Sequence, residues 1–118
     1  PQPAYVKISN INGPSEGMVF LEEADPRGRN LGTWVISVAP GMGWIDPFAI
    51  FHGNNSTIAF ADGHAESHRW TTDNVIQAAT DASSGVTSVF NWGGGNASNP
   101  DFVWVYNNYK YQRWQPIQ

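Results

Sequence analysis

The sequence predicts an α+β fold, in which a small antiparallel β-sheet with long loops is combined with one or two short helices. Three observations support this prediction. Short β-prone runs alternate with clusters of turn residues, and two later segments repeat their apolar residues at helical spacing. At 118 residues, the chain is long enough for one modest hydrophobic core, so we expect a single domain over residues 1–118.

Strands are predicted where β-branched and aromatic residues cluster between turns. Residues 5–8 alternate between apolar and polar, Met18–Leu21 form a compact apolar run, and residues 33–38 are strongly β-prone. Residues 56–62 and 65–70 should form a hairpin. The dipeptide Asp62-Gly63 between them is suited to a two-residue type I′ turn.

Two helices are predicted in the second half of the chain. The first begins after Thr71 or Thr72 and ends at residues 83–85. The second begins at Asn99-Pro100-Asp101, although its residues also suit a strand. Apolar side chains at near-helical spacing support both helices: Val75, Ile76, Ala79 and Ala82 in the first, and Phe102, Val105, Tyr106 and Tyr109 in the second.

Composition excludes several classes of function. The formal net charge is −4 with only six Lys and Arg, which argues against nucleic acid and anionic membrane surfaces as partners. The absence of cysteine excludes disulfides, thiolate metal sites and a cysteine nucleophile. No apolar run reaches the ~18 residues of a membrane span. The first residues, Pro1-Gln2-Pro3, indicate a piece of a longer protein or a processed terminus.

The most informative stretch is residues 52–70, which contains all three histidines, His52, His64 and His68. Asp62-Gly63 follows His52 by ten and eleven residues. In a strand, residues i and i+4 share a face but lie about 13 Å apart, so His64 and His68 cannot bind one metal ion. A His/His/Asp iron or zinc site therefore requires His52, Asp62 and His64, with His68 as an outer candidate.

A structural role for the same residues is the favoured interpretation. His52 would donate a hydrogen bond to the Asp62 carboxylate or to a turn carbonyl. Gly63 would supply the positive φ of the turn, and the two together would fix the register of the hairpin. In this interpretation His68 is a solvated strand residue.

An acidic segment and two loop tryptophans are further candidates. Glu22, Glu23 and Asp25 could bind calcium through carboxylate oxygens, but their spacing is not that of an EF-hand. A solvated loop paired with Arg27 or Arg29 is favoured instead. Glycines flank the tryptophans of two predicted loops, so carbohydrate or protein could contact exposed rings there, but a core position is favoured for any single tryptophan. These are Trp44 and Trp92.

Enzymatic activity is not predicted. The chain has no Gly-x-Ser-x-Gly nucleophile elbow, and Ser67 beside His68 is adjacent only in sequence. The glycines at positions 93–95 are not followed by the Lys and Ser or Thr of a phosphate-binding loop. A small His/Asp metalloenzyme remains the enzymatic alternative, and a carbohydrate-binding module is the other rival.

The motif His52-x9-Asp62-Gly63, with Asn55, Phe60 and His64 around it, resembles a known family. It is similar to the His-x9-Asp-Gly domain that ends many prepilin-like proteins of the type II secretion pseudopilin kind, common in Planctomycetes and Verrucomicrobia. The resemblance extends from about Tyr5 to the C-terminus. Flanking segments that agree with it are residues 19–23, 32–35, 46–50 and 99–106.

The resemblance implies a non-enzymatic structural domain, the globular head of a pilin-like subunit in the cell envelope or outside the cell. Its partners would be other pilin-like subunits or secreted cargo. Such proteins begin with a cleavable leader and an apolar helix, and this sequence shows neither, so we expect the soluble C-terminal head of a longer prepilin-like protein, with a separately encoded C-terminal subunit as the alternative. Related heads often bind calcium, but no ligand positions can be transferred to this chain.

Overall fold

The computed structural model describes residues 5–27, 34–111 and 114–117. It confirms the α+β prediction, with a three-stranded and a two-stranded antiparallel sheet and two α-helices joined by loops. The chain begins with two short 3-10 helices, Ile8–Asn10 and Pro14–Glu16. The regular elements that follow are β1 (Met18–Leu21), β2 (Ile36–Ser37), β3 (Gly43–Trp44), β4 (Asn55–Phe60), β5 (Ala65–Arg69), α1 (Asp73–Ser83) and α2 (Pro100–Asn108).

The larger sheet has the order β1-β4-β5, so β4 is its central strand. Ser56, Ile58 and Phe60 alternate along β4 and are buried, as the period of a strand requires. The register between β1 and β4 shifts between Met18 and Phe20, which is the geometry of a β-bulge. The bulge breaks the alternation of β1 and leaves consecutive apolar residues exposed on this strand.

The β4–β5 hairpin forms as expected, but with a different turn. The amide of Gly63 donates to the carbonyl of Phe60 at 3.0 Å, and the amide of Phe60 donates to the carbonyl of His64 at 2.9 Å. Gly63 has φ +96°, whereas Asp62 is not in the positive-φ region that a type I′ turn requires at both central residues. The predicted two-residue turn is therefore wrong, because a three-residue loop with glycine at its last position connects the strands.

Both predicted helices are confirmed. Thr72 is the N-cap of α1, and Gly85 with φ +87° follows its end. At the start of α2, the side chain of Asn99 accepts a hydrogen bond from the amide of Phe102 at 3.1 Å. Pro100 occupies the first turn, where its missing amide hydrogen costs nothing. The strand alternative for this segment is wrong.

Two strand predictions in the N-terminal half are wrong in part. Residues 5–8 form no strand, and Val6 is 85% exposed with no cross-strand neighbour to cover it. Of residues 33–38, only Ile36–Ser37 pair with another strand, and residue 33 lies outside the described residues. β-prone residues form a strand only when a partner strand packs against them.

The main core lies between the helices and the segment around Phe48, and it is rich in aromatic rings. Trp44 meets Phe48 and Phe102 edge-on, with centroids at 5.8 and 4.9 Å. The buried residues of this core are Ile36, Trp44, Phe48, Trp70, Val75, Phe102, Val105 and Tyr106. Within the described ranges, neither helix is long and apolar enough to cross a membrane.

Candidate functional site

The histidine motif lies on the β4–β5 hairpin, but its members are divided between the two ends of the hairpin. His52 precedes β4, whereas Asp62 and His64 belong to the turn that follows it. The six residues of β4 extend about 20 Å at ~3.3 Å per residue. The predicted hydrogen bond between His52 and Asp62 therefore does not form, and the fold does not bring His52 together with Asp62 and His64.

His52 instead faces the neighbouring strand β1. Its Nε2 atom lies 3.3 Å from Oε1 of Glu22, and Oε2 of the same carboxylate accepts a hydrogen bond from the amide of Thr57 at 3.1 Å. The carbonyl of His52 accepts a further hydrogen bond from the side chain of Asn55 at 3.1 Å. Glu22 thus connects the end of β1 to both His52 and β4.

His64 forms a local pair with Asp62 inside the turn. Its Nδ1 atom is in hydrogen-bond contact with Oδ1 of Asp62, and its backbone amide donates to the same oxygen at 3.2 Å. The imidazole stacks on Phe60 with centroids 4.6 Å apart, and Nε2 lies 3.4 Å from Oε2 of Glu66. The bond to Asp62 raises the pKa of His64 and lowers the pKa of Asp62.

His68 is not the solvated residue that the sequence predicts. Its side chain is only 18% exposed, and its ring stacks on Trp104 with centroids 3.7 Å apart. Trp70 meets the same ring edge-on at 4.5 Å. Burial lowers the pKa of His68, although the carboxylate of Asp101 partly opposes that shift. The Nε2 atom lies 3.5 Å from Oδ1 of Asp101 and makes no hydrogen bond with it, so the two groups interact through charge alone.

Asp101 is the polar centre of this second histidine environment. It is 3% exposed, and its Oδ2 atom accepts hydrogen bonds from the amides of Thr71 and Thr72 at 3.0 and 2.9 Å. The hydroxyl of Thr72 donates to it at 2.8 Å. Asp101 thereby joins the start of α2 to the start of α1 and to His68. The sequence marked Asp101 only as part of a helix start, because its partners are distant along the chain.

A second buried connection was also missed by sequence reasoning. The indole Nε1 of Trp70 donates to the hydroxyl of Ser56 at 2.8 Å, and that hydroxyl donates to the carbonyl of Ala49 at 2.6 Å. All three residues are buried. This chain of hydrogen bonds connects the start of β4 to the core on one side and to the segment before His52 on the other.

The three acidic residues of the predicted calcium site have separate partners. Glu22 contacts β4, Glu23 forms a backbone bridge with Phe48, and Asp25 forms an ion pair with Arg27 at 2.7 Å. The expected pairing with Arg27 is confirmed, while Arg29 lies outside the described residues.

Burial is the main cause that raises the pKa of Glu23, with a smaller contribution from the carboxylate of Asp46. Over the described parts of the chain, no group of three His, Cys, Asp or Glu residues is placed to hold a metal ion. Calcium binding stays a prediction.

The alternative of an exposed loop position is wrong for Trp44, which is only 2% exposed and lies in the core, as the sequence favours. Trp92 is half-buried and stacks on Trp44 with an interplanar angle of 8° and centroids 4.7 Å apart. Gly95 makes this packing possible, because a Cβ atom there would overlap the backbone of Gly43 and Trp44. Gly95 thus allows the two loops to pack closely, so that Trp44 is buried instead of presented to solvent.

Comparison with known proteins identifies no relative of this chain. No family model, no curated protein and no solved structure matches the chain. The resemblance to prepilin-like proteins therefore stays a prediction that depends on the motif residues themselves.

Proposed function

We propose that this domain has a structural, non-enzymatic role as the globular head of a pilin-like subunit. It acts in the cell envelope or outside the cell, and it contacts neighbouring pilin-like subunits or secreted cargo. The observation that carries this proposal is the exposed apolar surface of β1, next to a motif whose side chains bond within the fold.

The contacts of the motif suit a structural role. His52 contacts Glu22, which directly follows the neighbouring strand β1, and Asp62 contacts His64 within one turn. Gly63 adopts the positive φ that ends this turn. These contacts hold the two ends of one hairpin, which is what a domain that presents fixed surfaces to its neighbours requires.

The surface of β1 is suited to contact with another protein. Val19 and Phe20 are 53% and 74% exposed, because the bulge turns both away from the core. Phe20 lies opposite Ala59, which in turn pairs with Ala65 on β5. Two adjacent exposed apolar side chains on an edge strand give a surface against which another protein can pack.

A photo-crosslinking experiment tests the proposal. We would place p-benzoylphenylalanine at position 20 of the full-length gene product in its native cells, and at exposed Ser84 as the control. We expect position 20, and not position 84, to crosslink to chains that carry a prepilin leader and an apolar N-terminal helix, or to a secreted protein. Absence of crosslinks at position 20, or equal crosslinking at position 84, would overturn the proposal.

A further inference from the structure

An open groove of about 400 Å³ lies between α1 and the loop of residues 86–93. Asn74, Gln77 and Asp81 line it from one face of the helix, and Asn91 and Trp92 line it from the loop. Its volume falls within the range of ~300–1,000 Å³ typical of small-molecule sites. None of the histidine or acidic motif residues contributes to this groove, so it is a separate feature of the fold.

Several polar groups of the groove have unused hydrogen-bonding capacity. Within the described residues, the side chains of Asn74, Ser88 and Asn91 have no hydrogen-bond partner in the protein, although they line one groove. The Nε2 atom of Gln77 donates to Oδ1 of Asp81 at 2.8 Å. This bond orients both side chains and leaves the carbonyl oxygen of Gln77 and the second oxygen of Asp81 as acceptors.

The aromatic wall of the groove is rigid. Trp92 is stacked against the buried ring of Trp44, so it cannot rotate without disturbing the core. Asn91 has φ +56°, which is uncommon for a residue other than glycine, and its amide donates to the carbonyl of Ile45 at 3.1 Å. The loop backbone at Asn91 and the ring of Trp92 are therefore held in place before any ligand arrives, which reduces the entropic cost of binding.

The charge of the groove limits the class of ligand. Asp81 is its one ionisable lining residue among those the structure describes, and no lysine or arginine lines it. An anionic ligand would meet the Asp81 carboxylate and no lining cation; Arg27 lies over the ring of Phe90 but is paired with Asp25. Amide groups, a hydroxyl and one carboxylate instead complement a neutral ligand that carries many hydroxyl groups.

We propose that this groove binds a neutral saccharide of one or two sugar units. Asn74, Gln77, Asp81 and Asn91 hydrogen-bond to its hydroxyl groups, while an apolar face of a sugar ring packs against Trp92. The site differs from a flat platform of exposed tryptophans, because the ring is one wall of a polar groove. Saccharide binding neither requires nor excludes a role as a filament head.

Titration of the ¹⁵N-labelled protein with four neutral disaccharides, followed by NMR, tests this site. The disaccharides are maltose, cellobiose, lactose and N,N′-diacetylchitobiose. At least one should cause saturable shifts of the side-chain amides of Asn74 and Gln77 and of the Trp92 indole. Gln77→Ala and Asp81→Asn should each weaken the Kd about tenfold, which corresponds to ~1.4 kcal/mol. Gln115→Ala, at an exposed position outside the groove, should leave it unchanged.

Several outcomes would overturn the saccharide site. One is that none of the four disaccharides shifts these signals at about 50 mM, well above the millimolar affinities of weak ligands. Others are shifts that map to a different surface, or an unchanged Kd in both Gln77→Ala and Asp81→Asn. Melting curves of both variants confirm that a lost shift reflects the groove and not unfolding.

Discussion

His64 and His68 are four residues apart, and each lies beside an aspartate, yet their surroundings shift their pKa values in opposite directions. His64 is in an exposed turn and shares a hydrogen bond with Asp62, which raises its pKa. His68 stacks on Trp104 beside buried Asp101, and burial lowers its pKa. The same pair of side-chain types therefore favours the protonated histidine in one place and the neutral histidine in the other.

The difference between the two pairs lies in what surrounds the carboxylate. Asp62 belongs to the same turn as His64, so it can pair with it through local geometry alone. Asp101 belongs to α2, and its oxygens already accept hydrogen bonds from Thr71 and Thr72. We infer that the pair at His68 contributes to the packing of the helices, whereas the pair at His64 affects only the turn.

The largest expected effect is the loss of stability in Asp101→Ala. This change removes the acceptor of buried amide and hydroxyl donors at the start of α1, so we expect the free energy of unfolding to fall by about 2–4 kcal/mol. Urea denaturation measures it. Asp62→Ala is the matched control, because its carboxylate is exposed, and it should cost much less. Equal losses in the two variants would contradict the comparison.

The second expected effect is a change of stability with pH that is caused by His68. Because its pKa in the folded protein is below the ordinary value of 6.5, the unfolded chain binds more protons as the pH falls through that range. His68 should therefore reduce stability as the pH falls, even though Asp101 and Glu66 face it. We would measure urea midpoints between about pH 5.5 and 7.5, the range in which histidines titrate.

His68→Gln is the variant that isolates this effect. The stability difference between wild type and His68→Gln should shift against the wild type as the pH falls. A difference that stays constant over this range would show that His68 titrates equally in the folded and unfolded states.

The third effect is smaller and concerns the turn that holds His64. Gly63 has φ +96°, so Gly63→Ala should cost about 1 kcal/mol through backbone strain. Gly41→Ala is the control, because Gly41 lacks a positive φ and a Cβ atom there would meet nothing within 4 Å. Thermal unfolding compares the two variants. A destabilisation by Gly41→Ala as large as that by Gly63→Ala would argue against a strained turn.

The smallest effect is expected for His64→Gln. The raised pKa of His64 means that its contribution to stability is complete below pH 6.5 and is lost as the pH rises through the folded value. Asp62, whose pKa is lowered, contributes above its ordinary value of 3.8 and loses that contribution in acid. Because the pair is exposed, salt should screen it. The loss of stability in His64→Gln is measured from urea midpoints at pH 5.5 in low and high salt. A loss of stability that is as large in high salt as in low salt would contradict this expectation.

Local signals in the sequence were sufficient for much of the fold. The sequence Asn99-Pro100-Asp101 predicted the start of α2, because a cap and a proline in the first turn act through neighbouring residues. Gly63 predicted a positive φ for the same reason. Strand spacing also separated His64 from His68, and the same spacing places His52 and Asp62 at opposite ends of β4.

The parts that could not be predicted depend on contacts between distant segments. Nothing near His68 in the sequence indicates that Trp104 covers its ring or that Asp101 approaches it. The glycines before Trp44 allow an exposed loop position as an alternative, although a core position is favoured for any single tryptophan. Close packing there depends on Gly95, which is distant from Trp44 in sequence and approaches the backbone of Gly43 and Trp44. Local composition does not distinguish a flexible loop from a tightly packed one.

The most direct test of the opposing environments is an NMR titration of the histidine side chains, with signals assigned through His64→Gln and His68→Gln. We predict that His64 titrates above the ordinary histidine pKa of 6.5 and that His68 titrates below it. Asp62→Asn should lower the midpoint of His64 and leave that of His68 unchanged. Equal midpoints for His64 and His68, or the reverse order, would contradict the account.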